Sequence, residues 1–220
     1  METGMNGNIV HPATVLLSGM SGSGKTTFMQ RLLLARKISP MPTRIVWLFA
    51  QWQPIYDTLV EAGLPMEFIE GIPDSIGRSD FFDGNEANML VIDDLMLHKG
   101  VNELVAALFI HGSSHRNLSI FYLIHNIFWK SKVAREIRLN AKYLIVFRGA
   151  SDSEPLQRLG RQLFPRRVKY FEEATDYCMG KDNGYLVISL HPNVPDDLRL
   201  MTDLFGENHY ESPIVFKAIN

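Results

Sequence analysis

Residues Gly19-Met20-Ser21-Gly22-Ser23-Gly24-Lys25-Thr26 satisfy G-x-x-x-x-G-K-[ST] in full. The chemistry this pattern serves is the grip of a nucleoside triphosphate. Gly22 and Gly24 can take backbone angles closed to other residues, so the amides of Ser21-Gly22-Ser23-Gly24 can curl into an anion nest. A following helix would add the partial positive charge of its N-terminus. Lys25 would reach the β- and γ-phosphates, the Thr26 hydroxyl would ligate Mg²⁺, and Thr27 sits toward the α-phosphate. A second group is Met89-Leu90-Val91-Ile92-Asp93-Asp94. Four apolar residues running into an acid place a carboxylate at the C-terminal edge of a strand. Asp93 would hold the Mg²⁺ directly or through water, and Asp94 would polarise the water that attacks the γ-phosphate. A third is His125-Asn126, closing another apolar run, where a polar group can sense the γ-phosphate. Asn126 is the better candidate because an amide donates and accepts without titrating, and His125 shares the candidacy. Late in phosphoanhydride hydrolysis a cation is needed, often from a neighbouring subunit. Arg135 and Arg148 are placed for that.

These groups require strands that end together, and the pattern supplies them. Apolar strands are predicted at Ala13–Leu17, Arg44–Phe49, Met89–Ile92, Ser119–Ile124, Tyr143–Phe147 and Tyr185–Leu190. Helices are predicted at Thr26–Arg36, Pro54–Glu61, Val101–Ile110, Ser131–Asn140, Leu156–Leu163 and Val168–Tyr177, with residues 71–87 read as loop. Short, uniformly apolar strands alternating with helices imply an α/β domain with a mostly parallel sheet covered on both faces. The division is a flexible segment 1–12, an ATPase domain 13–200 and a tail 201–220 of undecided structure.

The chain has 220 residues, enough for one well-buried core. Its 46% hydrophobic content excludes global disorder. No apolar run approaches the roughly 18–20 residues of a membrane span, and the N-terminus lacks the pattern of a secretory signal. The single cysteine, Cys178, can make neither an internal disulfide nor a cysteine-based zinc site, which fits a reducing compartment. Charge is segregated. Residues 130–169 hold eleven Lys/Arg against three acids, a net +8, while the remainder of the chain is −10. Such a half is suited to a polyanion or an acidic neighbour.

Taken together, these segments resemble the small genome-packaging ATPases of the FtsK/HerA type. Those occur in double-stranded DNA viruses such as poxviruses, in virophages and in the Polinton or adintovirus lineage. The resemblance runs over about residues 13 to 200. It rests on LLSGMSGSGKT, IVWLF with Gln51, Trp52 and Gln53, FIEGIP, LVIDDLM, SSHRNLSIFYLIHNIF, REIRLNAKYLIVFRGASD, RQLFP and YLVISLHP. It implies a RecA-like fold of the additional-strand class and a homo-oligomeric ring that uses ATP and Mg²⁺. The ring would drive double-stranded DNA into a capsid, working with capsid or portal-vertex proteins inside an infected cell or in the virion. It implies Lys25 and Thr26 at phosphate and metal, and Asp93 as the metal acid. Asp94 is implied as the base, Asn126 as the sensor, and Arg135 or Arg148 as the arginine acting in trans. Two departures stand out: Asp94 replaces the glutamate usual in the wider superfamily, and His125 stands where many relatives carry Gln. Residues 71–87 and 149–155 are both candidate DNA-gripping loops. Two other readings share the phosphate loop: a small-molecule or nucleoside kinase, and a nucleotide-dependent assembly adaptor.

Overall fold

A computed structural model describes residues 7–78, 80–113, 116–149, 153–206 and 213–217. The strands are β1 (Ile9–Val10), β2 (Thr14–Ser18), β3 (Ile38–Ser39), β4 (Arg44–Phe49), β5 (Met66–Glu70) and β6 (Asn88–Asp93). They continue with β7 (Leu118–Ile124), β8 (Tyr143–Phe147), β9 (Tyr185–Ser189), β10 (Leu200–Thr202) and β11 (Ile214–Val215). Nine form one sheet in the order β11-β10-β9-β8-β2-β7-β6-β4-β5, and β1 pairs with β3 beside it. The six strands from β5 to β8 in that order are parallel. The last three, β9 to β11, are added antiparallel. The strand before the phosphate loop, β2, and the strand bearing Asp93, β6, are not neighbours, because β7 lies between them. This is the additional strand that the resemblance implies.

Helices cover both faces. Along β2, Val15 and Leu17 point to one side and Leu16 to the other, as the two-residue period of a strand requires. The Val15 side receives α1 (Lys25–Leu34) and α2 (Pro54–Glu61) through Phe28, Met29, Leu32, Tyr56 and Leu59. The Leu16 side receives α3 (Val101–Ala107), α4 (Ala134–Leu139), α5 (Ser153–Leu163) and α6 (Val168–Met179). Every residue of β2, β6, β7 and β8 is buried, which is why these strands read as unbroken apolar runs.

The structure departs from the sequence reading at several elements. The edge strand β5 was not predicted: Met66, Phe68 and Ile69 are only half-buried and alternate with exposed Glu67 and Glu70, too short a pattern to stand out. The helix predicted to Ile110 is α-helical only to Ala107 and continues as a π-helical turn over Leu108–Gly112. The helix predicted from Ser131 begins at Ala134, after a turn in which the Ala134 amide donates to the Ser131 carbonyl. Ile9 and His11 are buried against the body of the domain, and β10 and β11 extend the sheet past residue 200.

His11 ties the N-terminal segment to β7. Its Nδ1 lies 2.6 Å from Ser119 Oγ and its Nε2 lies 3.0 Å from Asn117 Oδ1. Burial holds its pKa below the usual histidine value, with the Lys142 charge acting the same way. A lowered histidine pKa means the unfolded chain takes up the proton more readily. The stabilisation is therefore complete above about pH 6.5 and is lost as pH falls from there toward the folded-state value. Urea unfolding at about pH 7.5 and about pH 5.5 checks this. The wild type should lose more stability on acidification than His11→Gln, and equal losses would remove the assignment.

Candidate active site

The phosphate loop leaves the end of β2 and enters α1. Gly22 and Gly24 hold φ of 76° and 95°, the left-handed region that favours glycine. Gly24 precedes the first helical residue without a side-chain cap, and no acid stands in the first turn. The N-terminal amides and the helix dipole are thus left to an anion. The Lys25 side chain arches back over the loop and donates to the carbonyls of Gly19 (2.6 Å) and Met20 (2.9 Å). Burial lowers the Lys25 pKa, opposed by the charges of Asp93 and Asp94. The Ser23 hydroxyl is buried against Gly19 and has no hydrogen-bond partner among the described residues.

Asp93, at the end of β6, is 3% exposed. Its Oδ2 accepts from Tyr56 Oη at 2.9 Å and from Thr26 Oγ1 at 3.2 Å. Burial pushes the Asp93 pKa up, while the two hydroxyl donors and the Lys25 charge pull it down. The Tyr56 phenol is pushed up by its own burial and by Asp93, so it remains a donor. Asp94 follows with φ 57°, a strained position for a residue other than glycine. That turn takes its side chain out of the protein interior. Asp94 Oδ1 meets His125 Nε2 at 2.9 Å across the ends of β6 and β7. Strand register explains the meeting: Ile92 lies opposite Tyr122, so the two chains leave the sheet side by side.

A cavity of about 460 Å³ collects these groups. Ser21, Gly22, Gly24, Lys25, Thr26 and Thr27 line it from the loop, and Asp93, Asp94 and His125 from the strand ends. Its other end is aromatic: Phe28, Phe147, Tyr185 and Phe205, with Asn183 beside them. The Arg31 guanidinium lies 4.5 Å from the centre of the Phe205 ring. Polar at one end and aromatic at the other, the cavity matches a nucleotide's phosphates and base.

Three sequence candidates lie elsewhere. Asn126 is exposed and uses its Oδ1 to accept the Phe128 amide at 2.7 Å, which shapes the turn after β7. The polar group that reaches the acid is its neighbour His125. Arg148, at the end of β8, contacts Asp182 at 3.2 Å, beside the Asn183 that lines the cavity. Arg135 is exposed on α4, away from the cavity wall. Conversely, Tyr56, Arg31, Asn183 and Phe205 were not singled out from sequence. Tyr56 left a signal: a tyrosine on the buried stripe of α2 needs a partner for its hydroxyl. Phe205 left none, lying in the tail.

The oxygen donors suit Mg²⁺. Among the described residues no cluster of three or more His, Cys, Asp or Glu side chains could hold a metal unaided. Thr26 and Asp93 supply one hydroxyl and one buried carboxylate already in contact, the small donor set of an ion that keeps waters and phosphate oxygens.

Solved structures with this architecture are known. The genome packaging NTPase B204 of Sulfolobus turreted icosahedral virus 2, in complex with AMPPCP, matches with a TM-score of 0.55 at 11% identity. The match covers 98% of this chain and 100% of that one. The chain has a RecA-like P-loop fold. B204, the DNA-packaging ATPase from Sulfolobus turreted icosahedral virus, matches at 0.50 and 12%, covering 96% and 99% of the two chains. A KaiC-like protein of the hyperthermophilic archaeon Pyrococcus horikoshii OT3 matches at 0.50 and 14%, covering 94% and 90%. No family model matches the chain, and no curated protein matches it.

Tyr56→Phe tests the support of Asp93. Removing one of two donors to a buried carboxylate is expected to cost about 1–3 kcal/mol of unfolding free energy. Urea denaturation reads this directly, and undiminished stability would show that Tyr56 does not carry the acid.

Proposed function

We propose that this protein is a Mg²⁺-dependent ATPase that assembles as a ring and drives double-stranded DNA into a viral capsid. The observation that carries the reading is the acid pair: Asp93 buried on Thr26, and Asp94 turned out beside His125 into the same cavity as Lys25. A nucleotide-binding module needs only the first acid. An outward second acid held by a neighbouring strand suits a base for an attacking water. The full-length match to a viral packaging NTPase supports the packaging step of the reading.

In this account the loop amides and Lys25 bind the β- and γ-phosphates. Thr26 and Asp93 hold Mg²⁺, which when bound offsets charge on the phosphate oxygens. Asp94 accepts the proton of the water, and His125 positions Asp94. Asn126 keeps the His125 turn in shape rather than acting as the sensor itself. Phe28, Phe205 and Arg31 receive the base. Arg148 is exposed at the end of β8 and is the arginine offered to a neighbouring subunit. Capsid or portal-vertex proteins would anchor the ring in the infected cell.

Steady-state ATP hydrolysis with and without duplex DNA tests the reading. Turnover should rise with DNA, more so at higher protein concentration. DNA-indifferent turnover, or phosphorylation of a small acceptor, would contradict it. Lys25→Ala should weaken ATP binding and abolish turnover. Asp94→Asn should keep ATP binding and lower hydrolysis by about 10²–10⁴-fold. In mixed rings, Arg148→Ala subunits should regain part of their activity beside Asp94→Asn subunits, and a verified mixed ring without rescue would exclude a role in trans.

A further inference from the structure

Apart from the nucleotide cavity, the described residues include a concentrated group of positive charges. It is built around Phe128, a half-buried ring in the loop that leaves β7. The Arg158 guanidinium, from α5, lies 4.9 Å from the ring centre, and that of Arg138, from α4, lies 5.3 Å from it. Arg138 also donates to the Ile127 carbonyl at 3.1 Å, which fixes its direction. Arg135 stands one turn earlier on α4, close enough that its charge and that of Arg158 both disfavour protonation of Arg138, after the larger effect of burial.

Like charges gathered on one aromatic ring repel each other unless something offsets them. Nothing in the described part of the chain does so: no ion pair joins Arg135, Arg138 or Arg158 to an acid there. The contrast with Arg148, paired with Asp182, and Lys169, paired with Glu173, is direct. The ring holds two guanidiniums by cation–π contact, Arg138 half-buried with one donor on the Ile127 carbonyl and Arg158 exposed. Exposed Lys130 and Lys132 follow on the same loop, and exposed Arg161, Arg166 and Arg167 follow on the α5 side. A single phosphate needs two or three charges. A run of exposed cations longer than that fits a repeating anion.

We propose that Arg138 and Arg158, clamped on Phe128 with Arg135 alongside, form the seat for the phosphate backbone of double-stranded DNA. The inference rests on the motor reading above and adds the surface that the substrate uses. It differs from the two loops expected from sequence, residues 71–87 and 149–155. Phe128, the ring that holds the seat, lies on the loop whose first residue, His125, touches Asp94, so one segment of nine residues, 125–133, links the seat to the catalytic acid. Recognition by guanidinium and phosphate alone makes the binding independent of sequence and steep in salt.

The experiment measures binding of a labelled mixed-sequence duplex by fluorescence anisotropy between about 50 and about 200 mM salt. It compares the wild type with Arg138→Gln/Arg158→Gln. Arg158→Gln alone, at an exposed position, covers the case in which the double variant does not fold. Thermal unfolding and DNA-free ATP turnover are recorded for each. The expected result is a loss of about tenfold in affinity per removed contact near 0.1 M salt and a salt slope shallower by about one unit per contact. DNA-free turnover should be kept. If the wild type binds duplex and the folded variants bind it equally with the same slope, the seat is wrong and the motor reading stands. If DNA-free turnover collapses in folded variants, the arginines serve a neighbour's nucleotide and the proposal is overturned. If the wild type itself binds no duplex, both the seat and the motor reading fail.

Discussion

A carboxylate buried at the end of a central strand must be compensated, and the arrangement of this molecule turns on Asp93. Desolvation raises its pKa, so the charged form is sustained only by what surrounds it. Thr26 comes from the helix after the phosphate loop and Tyr56 from the next helix, and both donate to one oxygen, Oδ2. The acid therefore joins three segments far apart in sequence. It also explains the position of Lys25, whose ammonium answers two acids while its donors occupy the carbonyls of Gly19 and Met20. Phosphate oxygens compete for the same donors, so binding exchanges one set of hydrogen bonds for a charge-assisted set.

Strand order makes this convergence possible. Because β7 separates β2 from β6, three parallel strand ends stand side by side: the phosphate loop, the His125 turn and the Asp93-Asp94 turn. The backbone amide of Gly19 donates to the Ile124 carbonyl, which links the loop to β7 at that edge. The αL turn at Asp94 separates the two acids, one inward and hydrogen-bonded to hydroxyls, one outward and held by an imidazole. Adjacent identical residues thus acquire different surroundings, which is what the proposed division between metal binding and proton transfer requires.

Much of this was legible in the sequence. The limits of β4, α2 and β8 coincide with their predictions, because apolar runs bounded by Pro, Gly and charged residues leave little freedom. The phosphate loop and Asp93 were legible for a local reason: their chemistry depends on residues consecutive in the chain. Tyr56, Arg31 and Phe205 were not, since each acquires its role from a partner distant in sequence. Between His125 and Asn126 the general argument favours the amide, and the structure turns the Asn126 Oδ1 to its own loop while His125 meets Asp94. The Asn126 side chain is consumed by its own loop, as Asn side chains often are, and the histidine is left to reach Asp94. The edge strand β5 and the tail strands escaped notice because edges are short and half-buried, so their patterning is weak.

The central claim is that the phosphate loop and the Asp93-Asp94 turn form one Mg²⁺-nucleotide site. A crystal structure with a non-hydrolysable ATP analogue and Mg²⁺ tests it most directly. The account predicts that Lys25 Nζ leaves the carbonyls of Gly19 and Met20 for the phosphates. It also predicts that the ion lies between Thr26 and Asp93, and that the base lies against Phe28 and Phe205. A nucleotide bound outside this cavity, or bound in it with Lys25 still on the loop carbonyls and no ion beside Asp93, would contradict it.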